Sequence, residues 1–123
     1  MTPEDFVQDF KTQRASAILR THDKDAAREA MNAAIEGGFR IVEFTLSIPG
    51  AFELIQEFSE RTELIVGAGT VLTTADANRA VEAGAQFLVS PVVDQAVINE
   101  AATLSVAAMP GCATPSEMLK AHR

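Results

Sequence analysis

The sequence predicts an α/β fold in which parallel strands alternate with covering helices. Three observations carry that expectation. Short apolar runs rich in Val, Ile and Phe alternate with amphipathic helical patterns along the whole chain. Glycines close several of the helical patterns, as a left-handed C-terminal cap requires. The alternation also keeps a beat. The segments AAIEGGFRIVE (33–43) and RAVEAGAQFLV (79–89) share Ala, Glu and Gly at matching places 46 residues apart, two strand–helix units of about 23 residues each.

Residues 1–14 read as a leading helix, with Phe6, Val7 and Phe10 at helical spacing. Five strand–helix pairs follow within a single domain, 1–123. SAILR (16–20) is a short strand, and DKDAAREAMNAAIEGG (23–38) is a helix ending at a glycine pair. FRIVEFTLS (39–47) and GAFELIQEFSERT (50–62) form the second pair; ELIVGAGTV (63–71) and TADANRAVEAGA (74–85) form the third. QFLVSPVV (86–93) with DQAVINEAATLS (94–105), then VAAMPGCAT (106–114) with PSEMLKAHR (115–123), complete the series. Two architectures satisfy this pattern: an open five-stranded doubly wound sheet, or the first five units of a (β/α)8 barrel. At this beat eight units need roughly 190–200 residues, the low end for such barrels.

Composition narrows the partners. The 123 residues are 47% hydrophobic and carry a formal charge of −7. That is a globular core-former whose surface disfavours nucleic acid and anionic membranes, both of which reward dense basic surface. No apolar run is long enough to cross a bilayer, and the opening MTPEDFVQDFKTQ is too acidic for a signal or transit peptide. The expected location is therefore cytoplasmic. The single cysteine, Cys112, cannot form an internal disulfide and fits a reducing compartment.

Chemistry is expected at the strand ends. Period-two alternation puts Ile41, Glu43 and Thr45 on one face of the second strand and Val42, Phe44 and Leu46 on the other. The Val42 set suits a covering helix, so Glu43 points to the inside of a barrel or to the second buried face of a sheet. A mid-strand carboxylate between apolar neighbours is costly unless paired or protonated. It is either satisfied by a local hydrogen bond or a frayed edge, or it is a proton-transfer group tuned upward by desolvation. Polar residues at the same level of the other strands favour the second reading: Arg20 after the first, Thr70 after the third, Ser90 and Pro91 at the fourth, Gly111, Cys112 and Thr114 at the fifth. In parallel α/β folds those C-terminal strand ends form one rim. Arg20 could fork onto a small anionic oxo-acid and Thr70 could donate to it. Thr73 is the better helix cap, which leaves Thr70 free.

The glycine-bearing stretch IVGAGTVLT (65–73) is no phosphate loop, because it lacks the lysine and hydroxyl of one such motif and the third glycine of another. Gly67 and Gly69 are instead expected to keep side chains out of an interior that a ligand enters. His22 and His122 lie outside any metal-ligand spacing, so no metal is expected. Cys112 reads as a small buried thiol with no histidine to activate it. The acidic stretch EFSERTE (57–63) reads as a solvated face.

At AILR, VEFTLS, VGAGTVL, GAQFLVSP and PGCATPSE, in that order, the chain resembles the 2-keto-3-deoxy-6-phosphogluconate/galactonate aldolase family. The resemblance implies a (β/α)8 barrel of which this chain holds about five units, a homotrimer, and no cofactor or metal. It further implies class I aldolase chemistry: a lysine forms a Schiff base with the substrate ketone, and C–C cleavage of a phosphorylated keto-sugar acid releases pyruvate and glyceraldehyde 3-phosphate. On this resemblance Glu43 shuttles protons, while Arg20 and Thr70 hold the pyruvyl carboxylate. Ser47 stands where the gluconate branch has arginine, and AILR and PGCAT lean towards the phosphogalactonate branch. The family's imine lysine lies on the sixth strand and its phosphate-binding glycines on the seventh and eighth. Lys11, Lys24 and Lys120 are all helical or pre-helical, so none is an expected nucleophile.

Overall fold

The computed structural model describes residues 1–123. Helix α1 (Pro3–Gln13) precedes five strand–helix pairs: β1 (Ala17–Leu19) and α2 (Lys24–Glu36), β2 (Ile41–Thr45) and α3 (Ala51–Ser59), β3 (Ile65–Gly69) and α4 (Thr74–Glu82), β4 (Phe87–Ser90) and α5 (Gln95–Thr103), β5 (Ala107–Pro110) and α6 (Pro115–His122). Five of the six helices start at a side-chain cap, whereas α3 follows Gly50 with no capping side chain. Thr2 and Asp5 form a reciprocal capping box at α1, with Pro3 in its first turn. The side chains of Asp23, Thr73, Asp94 and Thr114 accept from free backbone N–H groups at α2, α4, α5 and α6. Gly38 after α2 and Gly84 after α4 have φ of +113° and +114°, the left-handed exit that glycine allows without a Cβ clash.

All four strand pairings are parallel, and the strands lie in the order β1-β2-β3-β4-β5. This order decides between the two architectures. A doubly wound sheet reverses its strand order at a switch point and covers both faces with crossover helices. Here the order never reverses, and successive right-handed crossovers place their helices on one side. Accordingly, Val42, Phe44, Val66, Ala68 and Leu88 on the outer strand faces share one core with Met31, Leu54, Ile55, Ala77, Ala80 and Val97 of the covering helices. α4 buries Ala77 and Ala80 against the sheet, while Phe44 of β2 and Phe58 of α3 pack edge to face at 5.0 Å between ring centroids.

The inner face carries Ile18, Ile41, Glu43, Thr45, Ile65, Gly67, Gly69, Phe87, Val89, Ala107 and Met109, as the register sets Glu43 against Ile18 and Gly67, Gly67 against Phe87, and Phe87 against Ala107. Helix α1 floors this face. Phe6 stacks on Phe87 at 4.6 Å between ring centroids and shares a second core with Ile41 and Ala107. Of the three apolar residues at helical spacing in α1, Phe6 is buried and Phe10 packs beside it, whereas Val7 remains 46% exposed.

Candidate active site

Arg20 and Thr70 follow the C-terminal ends of β1 and β3, and Glu43, in the middle of β2, sends its carboxylate along the inner face to Gly69 beside them. Arg20 follows β1 and reaches past the end of β2, where its Nη2 donates to Thr70 Oγ1 at 2.9 Å. Glu43 sits on the inner face of β2, a strand paired on both sides, and is 4% exposed. It accepts no hydrogen bond from the protein, so neither a frayed edge nor a local hydrogen bond accounts for it. The floor beneath it is apolar: the Phe87 ring lies over Gly67, the residue abreast of Glu43. Desolvation pushes the Glu43 carboxyl up from 4.5 to about 6, and the Arg20 guanidinium pulls part of the way back. A carboxyl poised near neutrality beside a partly exposed cation and a hydroxyl can accept and return a proton from a carbon next to a bound carbonyl.

Thr70 has φ of +58°, a left-handed conformation that β-branched residues rarely adopt. The sequence holds no sign of it, since threonine argues against such a turn. The strained backbone is held by its surroundings and turns the hydroxyl to Arg20. A further hydroxyl pair stands beside the group. Thr45, buried on the inner face two residues beyond Glu43, shares a 2.8 Å hydrogen bond with exposed Ser47. Alternation placed Thr45 on this face, but nothing in the sequence indicated its pairing.

Other strand-end residues have structural tasks. Ser90 donates to the Val71 carbonyl at 2.7 Å, tying β4 to the loop after β3. Thr73 caps α4 as expected, and Thr114 caps α6. Gly111 lies against the Pro91 carbonyl, where a Cβ would come within 2.5 Å of the oxygen. Cys112 is half-buried rather than buried, with its thiol 3.6 Å from the Pro110 carbonyl. The expectation for Gly67 and Gly69 needs correction. The room they leave is filled from within the chain, by the Phe87 ring over Gly67 and by the Glu43 carboxylate over Gly69, rather than left open for a ligand. In the acidic stretch Glu57 pairs with Arg28 and Glu63 with Arg61 on the surface. No cluster of His, Cys, Asp and Glu is suited to a metal, and no helix is long and apolar enough to cross a membrane. Lys11, Lys24 and Lys120 lie on α1, α2 and α6, off the strands.

Five sequential parallel strands with helices on one face define a segment of a (β/α)8 barrel, and the candidate cluster lies towards its C-terminal rim. The chain belongs to the KDPG and KHG aldolase family, whose sequence model matches residues 7–123. It is 41% identical over 107 residues to a probable 2-dehydro-3-deoxy-6-phosphogalactonate aldolase of Rhizobium meliloti (strain 1021), covering 85% of this chain and 50% of that protein. Among solved structures it superposes on the 2-keto-3-deoxy-6-phosphogluconate aldolase of Zymomonas mobilis ZM4 with 3-phosphoglycerate, with a TM-score of 0.85 and 30% identity over 95% of this chain and 56% of that one. It also superposes on the KDPG aldolase of Legionella pneumophila with pyruvate captured as a covalent carbinolamine, with a TM-score of 0.79 and 25% identity over 87% of this chain and 52% of that one. The chain spans about half the length of the curated relatives it matches.

Proposed function

We propose that these residues form the pyruvate-recognising half of a class I aldolase that cleaves 2-keto-3-deoxy-6-phospho-sugar acids to pyruvate and glyceraldehyde 3-phosphate. The observation that carries this reading is the Arg20–Thr70 hydrogen bond beside a desolvated Glu43 on one barrel rim. Arg20 and Thr70 hold the substrate carboxylate, the guanidinium by charge and the hydroxyl by donation. Glu43 moves the proton on the carbon that becomes the methyl group of pyruvate. A protonated imine at the neighbouring carbon withdraws the electron pair that C–C cleavage leaves behind. The captured carbinolamine of the Legionella relative supports that covalent route. The imine lysine comes from outside these 123 residues, because Lys11, Lys24 and Lys120 stand on helices and none projects from a strand onto the inner face. The phosphate is likewise held elsewhere, and the complete enzyme is a cytoplasmic homotrimer.

Borohydride reduction in the presence of pyruvate, followed by peptide mass analysis, tests this division of labour. The 123-residue chain should show no reduced adduct at Lys11, Lys24 or Lys120 and no pyruvate release from a phosphorylated keto-sugar acid. Chemical-shift mapping with pyruvate should nevertheless move Arg20, Glu43 and Thr70. An adduct on one of the three lysines, or shifts confined to other residues, would refute it.

A further inference from the structure

We propose that Gly69 is a positioning residue that decides where the Glu43 carboxylate lies. The inference rests on the reading of Glu43 as the proton carrier, but its geometry stands by itself. Gly69 is on β3, abreast of Thr45 and immediately before Thr70. A Cβ at Gly69 would fall on Glu43 Oε2, with Cδ at 2.9 Å and Cγ at 3.3 Å. The whole end of the Glu43 side chain therefore lies in the volume that any other residue at 69 would occupy. Residue 69 is thus what allows the carboxylate to cross from β2 onto β3, at the foot of Thr70. The Gly69 backbone has an ordinary negative φ, and its carbonyl accepts from Leu46 N–H at 2.9 Å as part of the parallel pairing. Neither backbone freedom nor a turn calls for glycine here; only the side-chain volume does.

Gly67 provides the contrast within the same strand. Its missing Cβ makes room for the Phe87 ring, which is 1% exposed and stacked on Phe6, so nothing there can give way without disturbing the core. At Gly69 the obstacle is the far end of a flexible side chain. Alanine at 69 should therefore leave the fold intact and drive the carboxylate off β3 towards the rim. The Arg20 guanidinium is the charge beside Glu43; β1 presents Ile18, β3 presents Gly67, Gly69 and Thr70, and β2 presents Thr45, none of them charged. Movement towards water or towards Arg20 favours the ionised form in either case.

The test is a 13C NMR titration of the Glu43 side-chain carboxyl in the unsubstituted chain and in Gly69→Ala. The midpoint should fall from about 6 towards 4.5 in the variant, with the far-ultraviolet circular dichroism unchanged. If Gly69→Ala does not fold, Glu43→Ala/Gly69→Ala should, because the blocking atoms are gone. A folded Gly69→Ala with an unmoved midpoint, or a double variant as damaged as the single one, would overturn the assignment. Neither readout involves pyruvate, so failure of pyruvate to bind would remove the proposed function and leave this result standing.

Discussion

Glu43 connects burial to chemistry in a measurable way. Its pKa is raised in the folded chain, so the fold binds this proton more tightly than the unfolded chain does. The stabilisation is complete below about 4.5 and is lost as pH rises through about 6. Replacing Glu43 with Gln removes the penalty for charge. Relative to the unsubstituted chain, Glu43→Gln should gain about 1–2 kcal/mol more at pH 7.5 than at pH 4.5, read from urea unfolding at both pH values. Equal gains at both would mean that the carboxylate is solvated. Thr70 stores a different cost. A β-branched residue at φ +58° sacrifices on the order of 1 kcal/mol to hold its hydroxyl against Arg20. Thr70→Gly relieves that strain but frees the unfolded chain, so thermal unfolding should show no loss of stability while pyruvate affinity falls. A large loss of stability would instead make the Arg20–Thr70 contact a structural strut.

Thr73 and Thr70 lie three residues apart and make different contacts, one with the first turn of α4 and one with Arg20. Thr73 accepts from Asp76 N–H at 3.0 Å and starts α4. Thr73→Ala should cost about 1 kcal/mol in denaturant unfolding and leave pyruvate binding unchanged, whereas Thr70→Val should reverse that pattern. The cap at Thr73 was legible in the sequence, because Thr73 immediately precedes the apolar helical pattern. All five strands and six helices were legible from their periods, and every helix but α3 also from its capping side chain. The glycines of β3 were legible as gaps but not in what fills them. The ring over Gly67 comes from Phe87, 20 residues onward, and the carboxylate over Gly69 from Glu43, 26 residues earlier, so both depend on strand register. The left-handed turn at Thr70 was invisible because local propensity opposes it, and the tertiary contacts of the rim prevail.

At the scale of the molecule, the sequential strand order leaves β1 and β5 each with one hydrogen-bonded neighbour and one bare edge. Apolar side chains accompany those edges: Ile18 on β1 is 58% exposed and Met109 on β5 is 39% exposed. Helix α6 buries no residue and leaves Met118 and Leu119 more than half exposed, although α2–α5 all bury an apolar face. A chain with two bare parallel edges and an uncovered helix face should associate with itself. Size-exclusion chromatography with light scattering should show species larger than 13.1 kDa that grow with concentration; a monomer at every concentration would contradict this. The (β/α)8 frame was legible only when the family-like strand ends were added to the beat, because spacing alone fits an open sheet equally well. The most direct test of the whole account is a ligand-observed NMR titration of pyruvate against the unsubstituted chain and Arg20→Ala. Binding should be saturable and should weaken by about 10-fold or more without the guanidinium, the usual loss for a charge-assisted hydrogen bond to a carboxylate. Equal affinity in the two proteins would contradict it.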